Sequence, residues 1–282
     1  MSTLTIIIIV TLIIIGFAFF LRANKKKKML REKLNQIFPE LWREILKKRV
    51  VFYEKLDESD RQLFEKRVQR FLATKKIEGI ETEVDDTIRL MVASSAVIPT
   101  FAFPNYNYPN VRTILIYPNS FDEKYQTSKN SYDKEPIIGM VNGRYQNSTV
   151  ILSKPDLFRS FDGLPHKTNV GVHEFVHLLD KEDGVVDGIP ESLLAHQYVG
   201  PWLHEIKKEI NKIERGKSDI NPYALTNNAE FLAVVSEYFF DSPEKFHRRH
   251  PELYGFLSTI FNRDKVIQSN IANNKVSEPK MT

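Results

Sequence analysis

The sequence predicts an α+β fold: a helical N-terminal part, a small mostly antiparallel sheet and two apolar helices packed beside it, all preceded by one transmembrane helix. Three observations carry this. Several segments repeat apolar residues at helical spacing, as Leu63, Phe64, Val68, Phe71 and Leu72 do. Between Val111 and Leu152 the apolar runs are short and rich in β-branched residues, which is the signal of strands. The first 28 residues are apolar and then basic, unlike anything after them.

Taken in order, Leu4 to Leu21 is apolar apart from Thr5, Thr11 and Gly16. Eighteen helical residues reach ~27 Å, enough for a bilayer core. Arg22 and Lys25 to Lys28 follow the apolar run, whereas a cleaved signal peptide carries its charge before it. The positive-inside bias then places the bulk of the chain in the cytoplasm, as a single-pass protein of the inner membrane. Residues 1–28 are therefore expected to be an anchor with a basic flank, 29–56 a basic helical connector, 57–263 the folded domain and 264–282 a polar tail.

Within the domain, Ser59-Asp60-Arg61-Gln62 resembles a capping box opening a helix. A second helix is expected from Asp86 to Val97, stopped by Pro99. Phe101 to Pro109, rich in aromatics and proline, reads as a loop. Strands are expected at Val111–Tyr117, Ile137–Val141 and Ser148–Leu152, the last two joined around Asn142-Gly143. Val111–Tyr117 or Ser148–Leu152 is expected to offer a free edge to an extended peptide. Pro155 to Phe161 reads as a short helix or turn, after which Gly163 and Pro165 break the chain. Further helices are expected at Val170–Asp180, Leu193–Ile213, Ala229–Phe240 and from Pro251 to Phe261.

The net charge of +4 is misleading. Five of the basic residues lie in the first 28 positions, which contain no acid, and removing them leaves 35 basic against 36 acidic residues. No basic face for nucleic acid is implied. The absence of cysteine excludes disulfides and thiolate metal sites.

The stretch with chemical content is V-G-V-H-E-F-V-H-L-L-D, from Val170 to Asp180. Its H-E-x-x-H places His173 and His177 one turn apart on one helix face, the spacing that holds a single Zn2+. Glu174 is rotated off that face by ~100°, but can reach a water on the metal and take its proton. The flanking residues are apolar nearly all round, so the helix is buried. Two histidines and a glutamate buried there need partners, and one hydrated ion satisfies all three.

Catalytic zinc takes three protein ligands and leaves a position for water. Asp180 lies on the His173 face but roughly 10 Å along the axis, which suits orienting a histidine better than ligation. Asp183 falls ten residues after His173. Glu230 sits on a separate apolar helix, A-E-F-L-A-V-V-S-E-Y-F-F, where a lone inward carboxylate needs a partner. It is the preferred third ligand. Glu237, on the same helix, is a candidate for supporting a ligand from behind.

H-E-F-V-H-L-L-D-K-E-D-G-x-x-D-G-I-P, followed by N-P-Y-A-L-T-N-N-A-E-F-L-A-V-V-S-E-Y-F-F, resembles the Mlc titration factor A family of zinc peptidases from about Phe38 to Arg263. The catalytic core of that family is similar to that of anthrax lethal factor, a gluzincin, and implies a zincin-like metallopeptidase domain. The resemblance implies His173, His177 and Glu230 as ligands of one zinc ion and Glu174 as general base. Tyr223 would then donate a hydrogen bond to the oxyanion. It also implies a peptide or protein substrate, with aminopeptidase action among the possibilities. The departure from the family is Leu4 to Lys28. The competing reading is a membrane-tethered zinc-binding protein that captures a cytoplasmic regulator without catalysis. In that case four protein ligands would close the metal site.

Overall fold

A computed structural model of the chain describes residues 3–103, 106–120, 139–142, 148–163 and 169–261. Helix α1 (Thr3–Leu34) is followed by α2 (Glu40–Arg49), the single turn α3 (Val51–Glu54) and α4 (Glu58–Thr74), which leads into strand β1 (Lys76–Gly79). After α5 (Asp86–Thr100) come β2 (Val111–Tyr117), β3 (Gly139–Asn142) and β4 (Ser148–Ser153). The rest is helical: α6 (Lys154–Ser160), α7 (Val170–Asp180), α8 (Val199–Glu214), α9 (Asn228–Asp241), α10 (Pro243–Arg249) and α11 (Pro251–Ile260).

The fold is mixed and mostly helical, with one four-stranded sheet in the order β1-β2-β4-β3. The expectation of a mostly antiparallel sheet is corrected. β1 pairs with β2 and β2 with β4 in parallel, and only β3 runs antiparallel, to β4. The physical reason lies in β1. Lys-Ile-Glu-Gly is too short and polar to signal a strand, yet it forms one, and the crossover through α5 makes its pairing with β2 parallel. The same order corrects the expected free edge. β2 and β4 are interior strands, and β1 and β3 are the two edges.

α5 is buried almost all round, from Ile88 to Thr100, so it forms the centre of the core rather than one wall. α7 packs against it closely enough that a Cβ on Gly171 would meet Ser95 Oγ at 2.0 Å. Phe175 of α7 joins Phe71 and Tyr108 in an aromatic cluster, with ring centroids 5.7 and 4.9 Å away. Leu46, Val50 and Tyr53 belong to the same core, so it draws on the stretch before residue 57. The cap of α4 is Asp57, which accepts the Asp60 N–H, rather than the Ser59 box. Pro99 lies inside the last turn of α5 instead of stopping the helix before it.

α1 is one helix of 32 residues. Among the described residues, no helix is long and apolar enough to cross a membrane, so the expected anchor has no support here. The side chains of residues 4–10 lie outside the described ones. Ile137, Ile138, Gly143, Pro165 and the expected tail 264–282 also lie outside the described residues.

Candidate metal centre

Two asparagine caps set the site. Asn169 accepts the Val172 N–H at the start of α7, and Asn227 accepts the Glu230 N–H at the start of α9. Each satisfies an orphan donor of a first turn. The first places His173 and His177 on one face, their ring centroids 4.7 Å apart. The second places Glu230 opposite them.

His173 Nε2 lies 2.9 Å from Glu230 Oε2 and 3.1 Å from His177 Nε2, and the His177–Glu230 separation is 3.4 Å. Among the described residues these three form the group able to hold a metal ion. Ligands at roughly 2.0–2.1 Å from one tetrahedral ion stand about 3.3 Å apart, so the triangle has the right size. The donor set fits a divalent ion bound by two imidazoles and a carboxylate, with one side turned to the cleft.

Behind this triangle, Glu237 Oε1 lies 2.6 Å from His173 Nδ1, and its Oε2 accepts the Asn169 N–H at 2.5 Å. That contact fixes the His173 ring and turns its Nε2 lone pair toward the other two groups. Asp180 behaves differently. Its Oδ2 accepts the Gly188 N–H at 2.9 Å, while Trp202 Nε1 donates to the Gly188 carbonyl at 2.7 Å. Asp180 thus fastens the loop after α7 and makes no hydrogen bond to a histidine; its Oδ1 and His177 Nδ1 are both buried without one. Asp183 is exposed and caps backbone amides of Val185 and Glu191, apart from the metal group.

The carboxylates of the site are driven apart in acidity. Burial raises Glu174 to about 6 against the pull of both histidines. Burial also works upward on Glu230, but hydrogen bonds from His173 and His177 prevail and hold it at about 2. The same environment therefore holds one carboxylate as a standing anion and makes the other ready to exchange a proton.

The cleft in front of these groups has a volume of about 540 Å3, within the range of ligand-binding pockets. Gly139 and Met140 of β3 form one wall, and Tyr223, Asn227 and Val186 line the rest. A Cβ on Gly139 would stand 2.5 Å from Glu174 Oε1, so the strand passes directly against the candidate base. Tyr223 sits on a 3-10 turn, Pro222–Leu225, capped by Asn221. Its ring centroid is 6.1 Å from that of His173, and 46% of the residue is exposed. A separate apolar cavity of about 340 Å3 borders Glu237 and Asn169 but none of the three ligand groups.

His173, Glu174, His177, Tyr223 and Glu230 thus share one cleft, and Glu237 adjoins it through His173. Reasoning from sequence missed Asn169, Asn227 and Gly139. The asparagines stand just before apolar helices, a signal that was available. Gly139 had none, because only the fold brings it to Glu174.

The family model described as glucose-regulated metallo-peptidase M90 matches residues 21–262. The uncharacterized protein slr2042 of Synechocystis sp. is 28% identical over 271 residues, 94% of this chain and 97% of its own length. Mlc titration factor A of Cronobacter sakazakii is 27% identical, covering 76% of this chain and 83% of its own. The protein of the same name from Escherichia fergusonii is 28% identical, covering 74% and 82%.

Proposed function

The chain belongs to the glucose-regulated metallo-peptidase M90 family, and from that premise we propose that it is a zinc-dependent peptidase of the gluzincin type. The observation that carries this is the convergence of His173 Nε2, His177 Nε2 and Glu230 Oε2 at the floor of a cleft that also holds Glu174. Bound there, zinc supplies a Lewis acid for the scissile carbonyl and acidifies water. Glu174 takes the proton of the attacking water and returns it to the leaving amine. Its pKa, raised to about 6, lies near neutrality and so suits both halves of that transfer. Tyr223 donates a hydrogen bond to the developing oxyanion from the open side. Glu237 keeps His173 in the ligating tautomer. The outer edge of β3, unpaired among the described residues, takes up an extended peptide and draws its carbonyl past Glu174.

Digestion of a peptide library by the full chain, with and without chelator, tests the proposal. Cleavage should require metal, and Glu174→Gln should abolish it while metal stays bound. Normal cleavage by that variant rejects the assignment of the base. Glu230→Ala should lose metal on dialysis, and Asp183→Ala should not.

A second reading rests on the relatives named as titration factors of Mlc. In it, the chain captures a protein regulator and the metal is structural. Binding of the metal-loaded chain to such a regulator, lost on chelation and with no cleavage of any peptide in the library, favours it.

Location is a separate proposal. The order of apolar and basic residues, and the exposed side chains from Leu12 to Leu21 on α1, support a domain held at the cytoplasmic face of the inner membrane. Recovery of the full chain in the soluble fraction of lysed cells rejects it.

A further inference from the structure

A second histidine is enclosed by carboxylates away from the cleft. His250, between α10 and α11, is 5% exposed. Its Nε2 lies 2.8 Å from Asp219 Oδ1 in a formed hydrogen bond. Its Nδ1 lies 2.9 Å from Glu209 Oε1, at ion-pair distance but out of line for a hydrogen bond. A neutral imidazole has one N–H and one lone pair, so it would turn a lone pair on one of these anions. Only the cation faces both with a proton. The two nitrogens point in opposite directions, so no single ion can be shared among these three residues.

The polar and charged surroundings come from α8, α9, α10 and the segment after α8. On α8, Lys212 Nζ is 2.7 Å from Glu209 Oε2. The Ser218 hydroxyl donates to Glu209 Oε1 at 3.1 Å. On α9, the Tyr238 hydroxyl donates to Asp219 at 2.9 Å. On α10, Arg249 and Lys245 approach Asp219 at 3.4 and 3.6 Å. Asp219 itself belongs to neither helix. It lies in the segment between α8 and the 3-10 turn that presents Tyr223, four residues before that tyrosine. Next to it Ile220 is buried, and Asn221 caps the turn.

We propose that His250, as an imidazolium held between Glu209 and Asp219, is a positioning residue: it secures the segment 215–227 and so sets Tyr223 in the cleft, and its deprotonation loosens that segment. The role of Tyr223 rests on the peptidase reading above; the fastening of the segment does not. Burial works against the charge on His250, but Glu209 and Asp219 outweigh it and raise its pKa above the ordinary value. A raised folded pKa gives stability that is complete below the unfolded value of about 6.5 and is lost as pH rises through the folded one. Glu209, held at about 2 although burial raises it, and Asp219, also lowered, lose their contribution only in acid. The fastening is therefore complete below about pH 6.5, outside the acid range of the two carboxylates, and is lost as pH rises through the raised value of His250.

Hydrogen–deuterium exchange of the full chain, read on peptides covering 215–227 and corrected against unstructured peptide rates, tests this. At about pH 6 the segment should be about tenfold or more better protected in the wild type than in His250→Gln, and this ratio should fall toward one as pH rises through the His250 titration. Peptides from α7 serve as the control for folding. Asp219→Asn should reproduce part of the loss and keeps the test available if His250→Gln does not fold. Equal protection of wild type and variants at about pH 6, or a ratio that does not change with pH, overturns the proposal. Exchange needs neither metal nor cleavage, so its failure is distinct from failure of the peptidase reading. If both hold, His250→Gln lowers kcat with KM unchanged and adds no further loss in a Tyr223→Phe background.

Discussion

His173 and His250 are both buried histidines set between carboxylates, yet their surroundings allow opposite chemistry. At His250 each nitrogen faces its own anion from a different side, Asp219 by a hydrogen bond and Glu209 at ion-pair distance, which favours the charged ring. At His173 one nitrogen is consumed by Glu237, while the other shares its space with His177 and Glu230. What differs is geometry, not residue type. Three ligand atoms converging on one point suit an ion, whereas two anions diverging from one ring suit an ion pair. The lesson is that a count of histidines and acids does not identify a metal centre, and the direction of the nitrogens does.

This contrast is broken or sharpened by substitution. The largest effect is expected at Glu174, where Gln should cut peptide hydrolysis by about 10²–10⁴-fold without loss of metal, measured as turnover and metal content. Next is Gly139→Ala, whose new Cβ must displace the Glu174 carboxylate. A shift near 1 Å should cost about 10²-fold in kcat, again with metal retained. Glu237→Gln should lower metal affinity by about 10–100-fold, read by competition with a chelating dye, because His173 loses the anion that orients it. The smallest effect is at the other histidine. His250→Gln should leave metal affinity unchanged, and its loss of thermal stability relative to wild type should be present near neutrality and vanish as pH rises through the raised His250 pKa. If it releases metal, the two clusters are one coupled network and the contrast fails.

Much of the candidate site was legible before folding was considered, for a local reason. H-E-x-x-H is meaningful within one helix, because residues one turn apart must share a face. Glu230 and Glu237 were legible as carboxylates on an apolar helix, where burial without a partner is costly. The sheet was less so. Lys76–Gly79 has a single buried residue, Ile77, and no alternation to betray it, so parallel pairing through α5 was hidden. Gly139 and Asp219 were silent for the same reason, since each matters only through a contact with a distant part of the chain.

Local pattern was thus sufficient for the identity of the apolar helices and the chemistry their polar residues could perform, since those follow from periodicity and burial cost along a few turns. Tertiary packing alone chose which strand became the edge against the cleft, which nitrogen of each histidine met which carboxylate, and that Asp180 would hold Gly188 instead of an imidazole. Those choices depend on distances between elements dozens of residues apart, and no repeat within one helix or strand encodes them.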